Sequence, residues 1–243
     1  MTALAIDIRG KAFGDRSVLR DVVFDAAEGE IVAVMGASGC GKSTLLSLIA
    51  GIDRAYEGTI ARPVASALGI VFQEPRLLPW LTARANVELV VERRRNAPAL
   101  AMRWLRRVGL GDAADVHPRT LSLGMARRVA MARALAVDPT VLLLDEPFSS
   151  LDEVTADQLR ALLFAEARAR RITTIVATHD IRDVVAIADR LIALQGSPAT
   201  VTANVPITMS DAARRDRAAL SLWTDRLRRR LALAQPAAAR REA

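Results

Sequence analysis

The chain has 243 residues, a formal net charge of +7, 51% hydrophobic residues and a single cysteine, Cys40. It is long enough for one large domain with a real core, or for a domain carrying an insertion. One cysteine excludes an intramolecular disulfide, and the apolar runs, such as 141–144 and 191–194, fall far short of the roughly eighteen residues of a membrane span.

No basic stretch followed by an apolar one opens the chain, so a cytoplasmic protein is expected. The arginines group at 93–95, 103–107, 168–171, 214–217 and 226–230, interleaved with alanine and leucine. Solvated helix faces account for them, as does attraction to an anionic membrane or a membrane partner. No zinc-ligand spacing or aromatic-rich strand motif argues for nucleic acid. Among the 34 basic residues only Lys11 and Lys42 are lysines.

Residues 4–9 alternate Leu4, Ile6 and Ile8 against Ala5, Asp7 and Arg9, the pattern of a half-buried strand. A turn over 13–17 leads to a second alternating stretch, 18–24, and a turn over 27–30 feeds an apolar strand at 31–35. Phe13 reads either as core or as a flat platform for a purine. Next come Gly36, Ala37, Ser38, Gly39, Cys40, Gly41, Lys42, Ser43 and Thr44, which fit G-x-x-x-x-G-K-[ST]. An apolar helical run, 45–50, follows and stops at Gly51. Strand, glycine loop and helix are the context of a phosphate loop. The glycines let successive N–H groups face one anion, and the helix N-terminus adds partial positive charge. In that reading Lys42 reaches the β- and γ-phosphates and the Ser43 hydroxyl completes a Mg²⁺ shell. The bland alternative is a glycine turn before a core helix with Lys42 merely solvated; the flanking strand and helix make it the lesser one.

Residues 67–72 form another apolar strand, ending in Gln73, Glu74 and Pro75; a glutamine there is ordinarily a loop residue. From 75 to 137 the texture changes to helix-like segments near 82–95, 98–108 and 123–137, which read as a helical insertion in an α/β core. Residues 141–144 are uninterruptedly apolar and close on Asp145 and Glu146, as a central parallel strand does. Acids at the C-terminal end of such a strand stand where open α/β sheets bind ligands. Asp145 suits Mg²⁺ and Glu146 a proton from water, against the plain reading of surface acids. Ser150, Leu151 and Asp152 lead into a helix at 153–170, then a strand at 172–177 ends in Thr178, His179 and Asp180. His179, at a third strand end, is a candidate γ-phosphate sensor, although a lone histidine is more often structural. A helix at 181–190 and a strand at 191–194 follow. The remainder reads as a turn, a short apolar–polar stretch and an arginine-rich helix at 210–234. That tail is expected to be peripheral, so that a chain ending near residue 200 still binds nucleotide.

Over residues 4–195 the sequence resembles the ATP-binding cassette (ABC) subunit of a membrane transporter. Seven features stand in that family's order. Phe13 resembles the adenine-stacking aromatic, Gly36 to Thr44 the Walker A loop and Gln73 the Q-loop. Leu121, Ser122, Leu123, Gly124 and Met125 match the signature, 142–146 Walker B, Ser150 to Asp152 the D-loop, and His179 the switch histidine.

The resemblance implies an α/β phosphate-loop NTPase (RecA-like) core with a helical subdomain inserted at about 75–137 and a small antiparallel β subdomain. Residues 1–200 then form the nucleotide-binding domain and 201–243 a C-terminal helical extension. ATP and Mg²⁺ are the implied cofactors, with Ser43, Gln73 and Asp145 at the metal and Glu146, His179 and Gln73 catalytic. Phe13, the whole Walker A loop, Ser122, Gly124 and Asp152 are the implied nucleotide contacts. Two cassettes hold each ATP between the Walker A of one and the signature of the other. The implied partners are a separate permease at the cytoplasmic face of the inner membrane and, indirectly, a periplasmic binding protein, with no nucleic acid. Residues 73–80, with Asn86 and Val87, resemble the subgroup that imports nitrate, sulfonates and taurine.

Competing readings are an exporter subunit, a soluble cassette ATPase of translation or DNA repair, and an ordinary phosphate-loop kinase. The second cassette or long coiled-coil insertion of the soluble proteins is not visible, and a kinase has no use for a signature. One departure stands out: the usual signature is L-S-G-G-Q, and here Leu123 and Met125 occupy its third and fifth positions. Ser122 reads as the N-cap of a helix starting at Leu123, so the backbone N–H groups of that first turn survive the change.

Overall fold

The computed structural model describes residues 2–62 and 67–234. The alternation at the start of the chain becomes β1 (Thr2–Phe13), whose Leu4, Ile6 and Ile8 are buried. It pairs antiparallel with β2 (Arg16–Ala27) and, on its other edge, with β4 (Glu57–Ala61). β4 escapes sequence reading because an edge strand needs no apolar face, and four of its five residues are exposed.

The apolar runs become β3 (Ile31–Met35), β6 (Val141–Asp145) and β7 (Thr173–Thr178), the last two buried throughout. With β5 (Leu68–Val71) and β8 (Arg190–Gly196) they make a parallel array ordered β8-β3-β7-β6-β5. β9 (Ala199–Pro206) runs antiparallel to β8 and meets β2 at Leu19↔Ala199, joining the antiparallel strands to the parallel ones in one nine-stranded sheet among the described residues.

Side chains alternate between two apolar layers, as a period of two requires. Val32 and Val34 pack with Leu45, Leu46 and Ile49 of α1 (Lys42–Ala50). Ile31 and Ala33 face the layer formed with α4 (Leu123–Ala136), α5 (Glu153–Arg170) and α6 (Ile181–Ile187).

The block at about 75–137 holds α2 (Ala83–Glu88), α3 (Ala97–Arg107) and α4, and no strand among the described residues. The helix expected at 82–95 stops early, passing into a 3₁₀ turn, Leu89–Val91. The three arginines and Asn96 that follow offer no apolar group to hold a further turn. Asn86 is buried and staples the loop before α2, accepting from the Leu78 N–H at 2.8 Å and donating to the carbonyls of Leu78, Leu81 and Thr82.

The division expected between 200 and 201 falls inside β9, which bonds to β8 from Ala199 to Pro206. Beyond it, Arg214 is buried and donates to the carbonyls of Val185 (2.8 Å) and Ala188 (2.7 Å), capping the C-terminal end of α6. α7 (Arg217–Ala234) then lies on α6, with Leu227 buried and Leu220 and Trp223 packed against the core. The helix expected at 210–234 therefore begins later and is docked. A chain ending at 200 would keep the β3 pairing of β8 but lose most of β9, leaving the other edge of β8 unpaired, so it is expected not to fold, contrary to the sequence expectation. A chain ending after Asp216 keeps the sheet and the Arg214 cap. It is expected to bind nucleotide normally but to lose at least about 2 kcal/mol from the exposed leucine layer. Melting should then fall by at least about 4 °C; an unchanged melting temperature would show that α7 contributes nothing to the core.

Candidate functional site

Two glycines of the phosphate loop are required by geometry. A Cβ on Gly36 would stand 2.7 Å from the Leu194 carbonyl oxygen. Gly41 has φ 108°, and its Cβ would stand 2.8 Å from the Leu19 side chain. The helical ladder of α1 opens with Leu45 N–H donating to the Gly41 carbonyl at 2.8 Å, so the amides of Lys42, Ser43 and Thr44 precede it. α2, α4, α5 and α6 are each capped by a side-chain oxygen, from Thr82, Ser122, Asp152 and Asp180. α1, like α3, has no such cap and no acid in its first turn, but it alone of the two follows the glycine loop. Its N-terminal potential is thus left for an outside anion. Lys42 is only 5% exposed; its ammonium donates to the carbonyls of Gly36 (2.8 Å) and Ala37 (3.0 Å) and lies 3.6 Å from Glu146 Oε1.

Asp145 and Glu146 close β6 beside this loop. Burial pushes the Asp145 carboxyl above the ordinary carboxylate range; nearby Glu146 adds to the shift, while the Ser43 hydroxyl and Lys42 oppose it. Its Oδ1 is buried without a hydrogen-bond partner. An orphaned anionic oxygen beside a serine hydroxyl is a donor set for a hard cation, so these residues fit Mg²⁺. Ser43, Gln73 and Asp145 share one pocket of about 260 Å³. Phe13, Gly39, Lys42, Thr44, Gln73 and Glu146 help to line a cleft of about 360 Å³ over the phosphate loop.

Glu146 takes a left-handed backbone, φ 47°. Its N–H donates to the Ala177 carbonyl at 2.9 Å, and its own carbonyl accepts from the Ser149 hydroxyl at 2.8 Å. The carboxylate lies 3.0 Å from His179 Nδ1, so the second acid and the histidine at the third strand end are in contact.

Ser122, Gly124 and Asp152 do not line the cleft. The Ser122 hydroxyl accepts from the Met125 N–H at 3.2 Å and so caps α4. Asp152 caps α5 by accepting from the Thr155 N–H at 2.9 Å, and the Thr155 hydroxyl and amide hold its carboxyl below its usual range. Leu123 is 51% exposed, its side chain outside the core. Two functional-looking residues escaped sequence reading because they resemble their solvated neighbours. Arg127 is buried, bonding the Ser149 hydroxyl and, at 3.4 Å, the Gln73 carbonyl; burial lowers its pKa, with Glu146 opposing. Arg133 donates to the carbonyls of Arg76 and Pro75 at 2.8 and 2.9 Å.

An uncapped helix behind a glycine loop, with acids and a histidine on adjacent strand ends, defines a phosphate-loop nucleotide-binding cassette. The chain belongs to the ABC transporter family, whose profile matches residues 19–149, and it is an ATPase of that family. The aliphatic sulfonates import ATP-binding protein SsuB 1 of Xanthomonas axonopodis pv. citri (strain 306) is 46% identical over 212 residues, 82% of this chain and 84% of the relative. Aliphatic sulfonates import ATP-binding protein SsuB 3 of Nocardia farcinica (strain IFM 10152) is 43% identical over 235 residues, 96% and 92% of the two chains. Among solved structures, a dimeric ATP-binding cassette in a post-hydrolysis state, bound to ADP and Pi, aligns with a TM-score of 0.78 at 30% identity, covering 86% of this chain and 100% of that one.

The buried charge on Asp145, with one oxygen lacking a hydrogen bond, makes a stability prediction. A raised carboxyl pKa contributes stability that is present below the unfolded value and is lost as pH rises through the folded one. Asp145→Asn removes that charge. It is expected to raise melting of the nucleotide-free protein by about 2–4 °C at neutral pH, for roughly 1 kcal/mol, with a smaller gain in acid. Mg²⁺-dependent hydrolysis should disappear. A melting temperature lowered at every pH would make the carboxylate a structural group instead.

Proposed function

We propose that the chain is the ATP-hydrolysing subunit of an importer for small organic anions of the aliphatic sulfonate class, working on a separate membrane permease. The observation that carries this reading is the contact of Glu146 with both His179 and Lys42 at the mouth of an uncapped phosphate-loop helix. The sulfonate class rests on the relatives, and on the resemblance of residues 73–80, Asn86 and Val87 to that subgroup.

In this reading the amides of the phosphate loop and Lys42 bind the β- and γ-phosphates, and Phe13 stacks on the base. Ser43 and Asp145, with Gln73 nearby, would hold Mg²⁺, which supplies neutralisation of phosphate charge. Glu146 accepts the proton of the attacking water at its carboxylate, and His179 fixes that carboxylate and senses the γ-phosphate. Ser122, Gly124 and Asp152 act on the nucleotide of a second copy, which fits their position off the cleft of their own chain. The helical block exposes Trp80, Leu89 and Val90, apolar groups of the kind a membrane subunit covers. The cassette thus sits peripherally on the cytoplasmic face of the inner membrane, and a periplasmic binding protein feeds the permease.

Glu146→Gln keeps the shape but loses the proton acceptor. The variant is expected to bind MgATP, to hydrolyse it about 10²–10⁴ times more slowly, and to accumulate as an ATP-bound dimer on gel filtration. Hydrolysis at the parent rate would place the base elsewhere.

The signature makes a second prediction. Leu123 already has the backbone N–H and helical φ that the first turn of α4 needs, with its side chain outward. A Cβ at Gly124 would meet Leu151 at 3.1 Å. In the assembled transporter, Leu123→Gly is expected to change ATPase activity less than about twofold, and Gly124→Asp to abolish it with monomer ATP affinity intact, because only the latter adds bulk and negative charge where γ-phosphate docks. A large gain from Leu123→Gly would mean that the natural signature is degenerate.

A further inference from the structure

Both lysines of this arginine-rich chain lie near the nucleotide cleft. Lys42 is explained by the phosphate loop, whereas Lys11 belongs to no motif. It lies on β1 two residues before Phe13, hence on the same strand face. Its ammonium is buried, 3% exposed, and has three neighbours. It donates to the Ala55 carbonyl at 2.7 Å, pairs with Asp53 Oδ2 at 2.7 Å and stands 4.3 Å from the centre of the Phe13 ring. Three N–H bonds thus meet three partners. A compact ammonium suits that geometry, whereas a planar guanidinium does not, which accounts for a lysine here in an arginine-rich chain.

Asp53 and Ala55 belong to the turn that ends α1, where the Asp53 N–H donates to the Ser47 carbonyl at 3.2 Å. The Lys11 hydrogen bond and the Ala55 amide hold the Asp53 carboxyl below its ordinary range. Lys11 therefore ties the Phe13 strand to the far end of the phosphate-loop helix. Burying the ammonium costs solvation that a pair with the half-buried Asp53 does little more than offset, so stability alone is a weak reason for this one. Phe13 itself is 54% exposed and forms part of the cleft wall.

We propose that Lys11 is a positioning residue for the purine of the bound nucleotide: clamped by Asp53 and the Ala55 carbonyl, its ammonium covers one face of the Phe13 ring and leaves the other to stack on adenine. The cation draws π density toward itself, so the open face becomes a better partner for an electron-rich base, and the ring is held at a fixed height over the phosphate loop. The inference rests on the reading of Phe13 as the base platform.

The test compares binding of MgATP with that of magnesium tripolyphosphate, which has the phosphates and no base, by calorimetry on the full chain. Phe13→Ala tests the platform: MgATP should weaken about tenfold and tripolyphosphate less than twofold. Loss of neither, or of both equally, removes the platform and the inference with it. Given a sound platform, Lys11→Met should weaken MgATP by about 2- to 30-fold and tripolyphosphate less than twofold. Lys11→Arg should fail to restore it, and Phe13→Ala with Lys11→Met should lose no more than Phe13→Ala alone. Should Lys11→Met not fold, Asp53→Asn loosens the clamp while keeping the cation, and a smaller loss confined to MgATP is expected. Equal losses for both ligands, or none, in whichever variant folds would make Lys11 a purely structural residue while leaving Phe13 as the platform.

Discussion

Because Met35 pairs with Thr178 and Ala177 with Asp145, the three central strands end at one level, and the phosphate loop, Glu146 and His179 start from neighbouring positions. Parallel strands reach this register only through crossover helices, and α1, α4 and α5 supply the apolar surface that covers both faces. The site is therefore a property of the sheet edge: no loop has to search for its partner. A one-residue slip of β6 would turn Asp145 away and exchange the two apolar layers, so the side chains of 141–144 hold the chemistry in place by packing alone.

Electrostatics then shape what packing has delivered. Lys42 is buried and bonded to two loop carbonyls, with Glu146 close to it. Asp145 Oδ1 is the anionic oxygen beside the phosphate loop left without a hydrogen-bond partner. Glu146 carries a second cost, a left-handed backbone worth about 1–2 kcal/mol in a residue with a Cβ. The Ala177 carbonyl and the Ser149 hydroxyl hold it there, and Arg127 holds Ser149. The carboxylate's position thus depends on a residue of the same helix that Ser122 caps.

Much of this was legible in the sequence, for reasons that differ by residue. The strands at 31–35 and 141–145 announce themselves by uninterrupted apolar side chains, and the phosphate loop by glycines that no other residue can replace at 36 and 41. Burial of Leu4, Ile6 and Ile8 follows from alternation. β4 and most of β9 were not legible, since their residues are defined by the strands beside them. Nor were Arg127, Arg133 and Lys11, because a one-dimensional pattern does not separate a cation bonded into the fold from a solvated one. Ser122, Gly124 and Asp152 are a different case: they were found by resemblance, and one chain alone gives them capping duties and no place on the cleft.

α6 is seven residues long, about 10 Å of helix, too short to take up a displacement by bending. Asp180 caps its first turn directly after His179, and Arg214 grips its last carbonyls from the C-terminal extension. The two ends of one short helix thus belong to the strand end that carries His179 and to the segment after β9. α7 reaches the neighbourhood of His179 through one short helix, and not through the helical block.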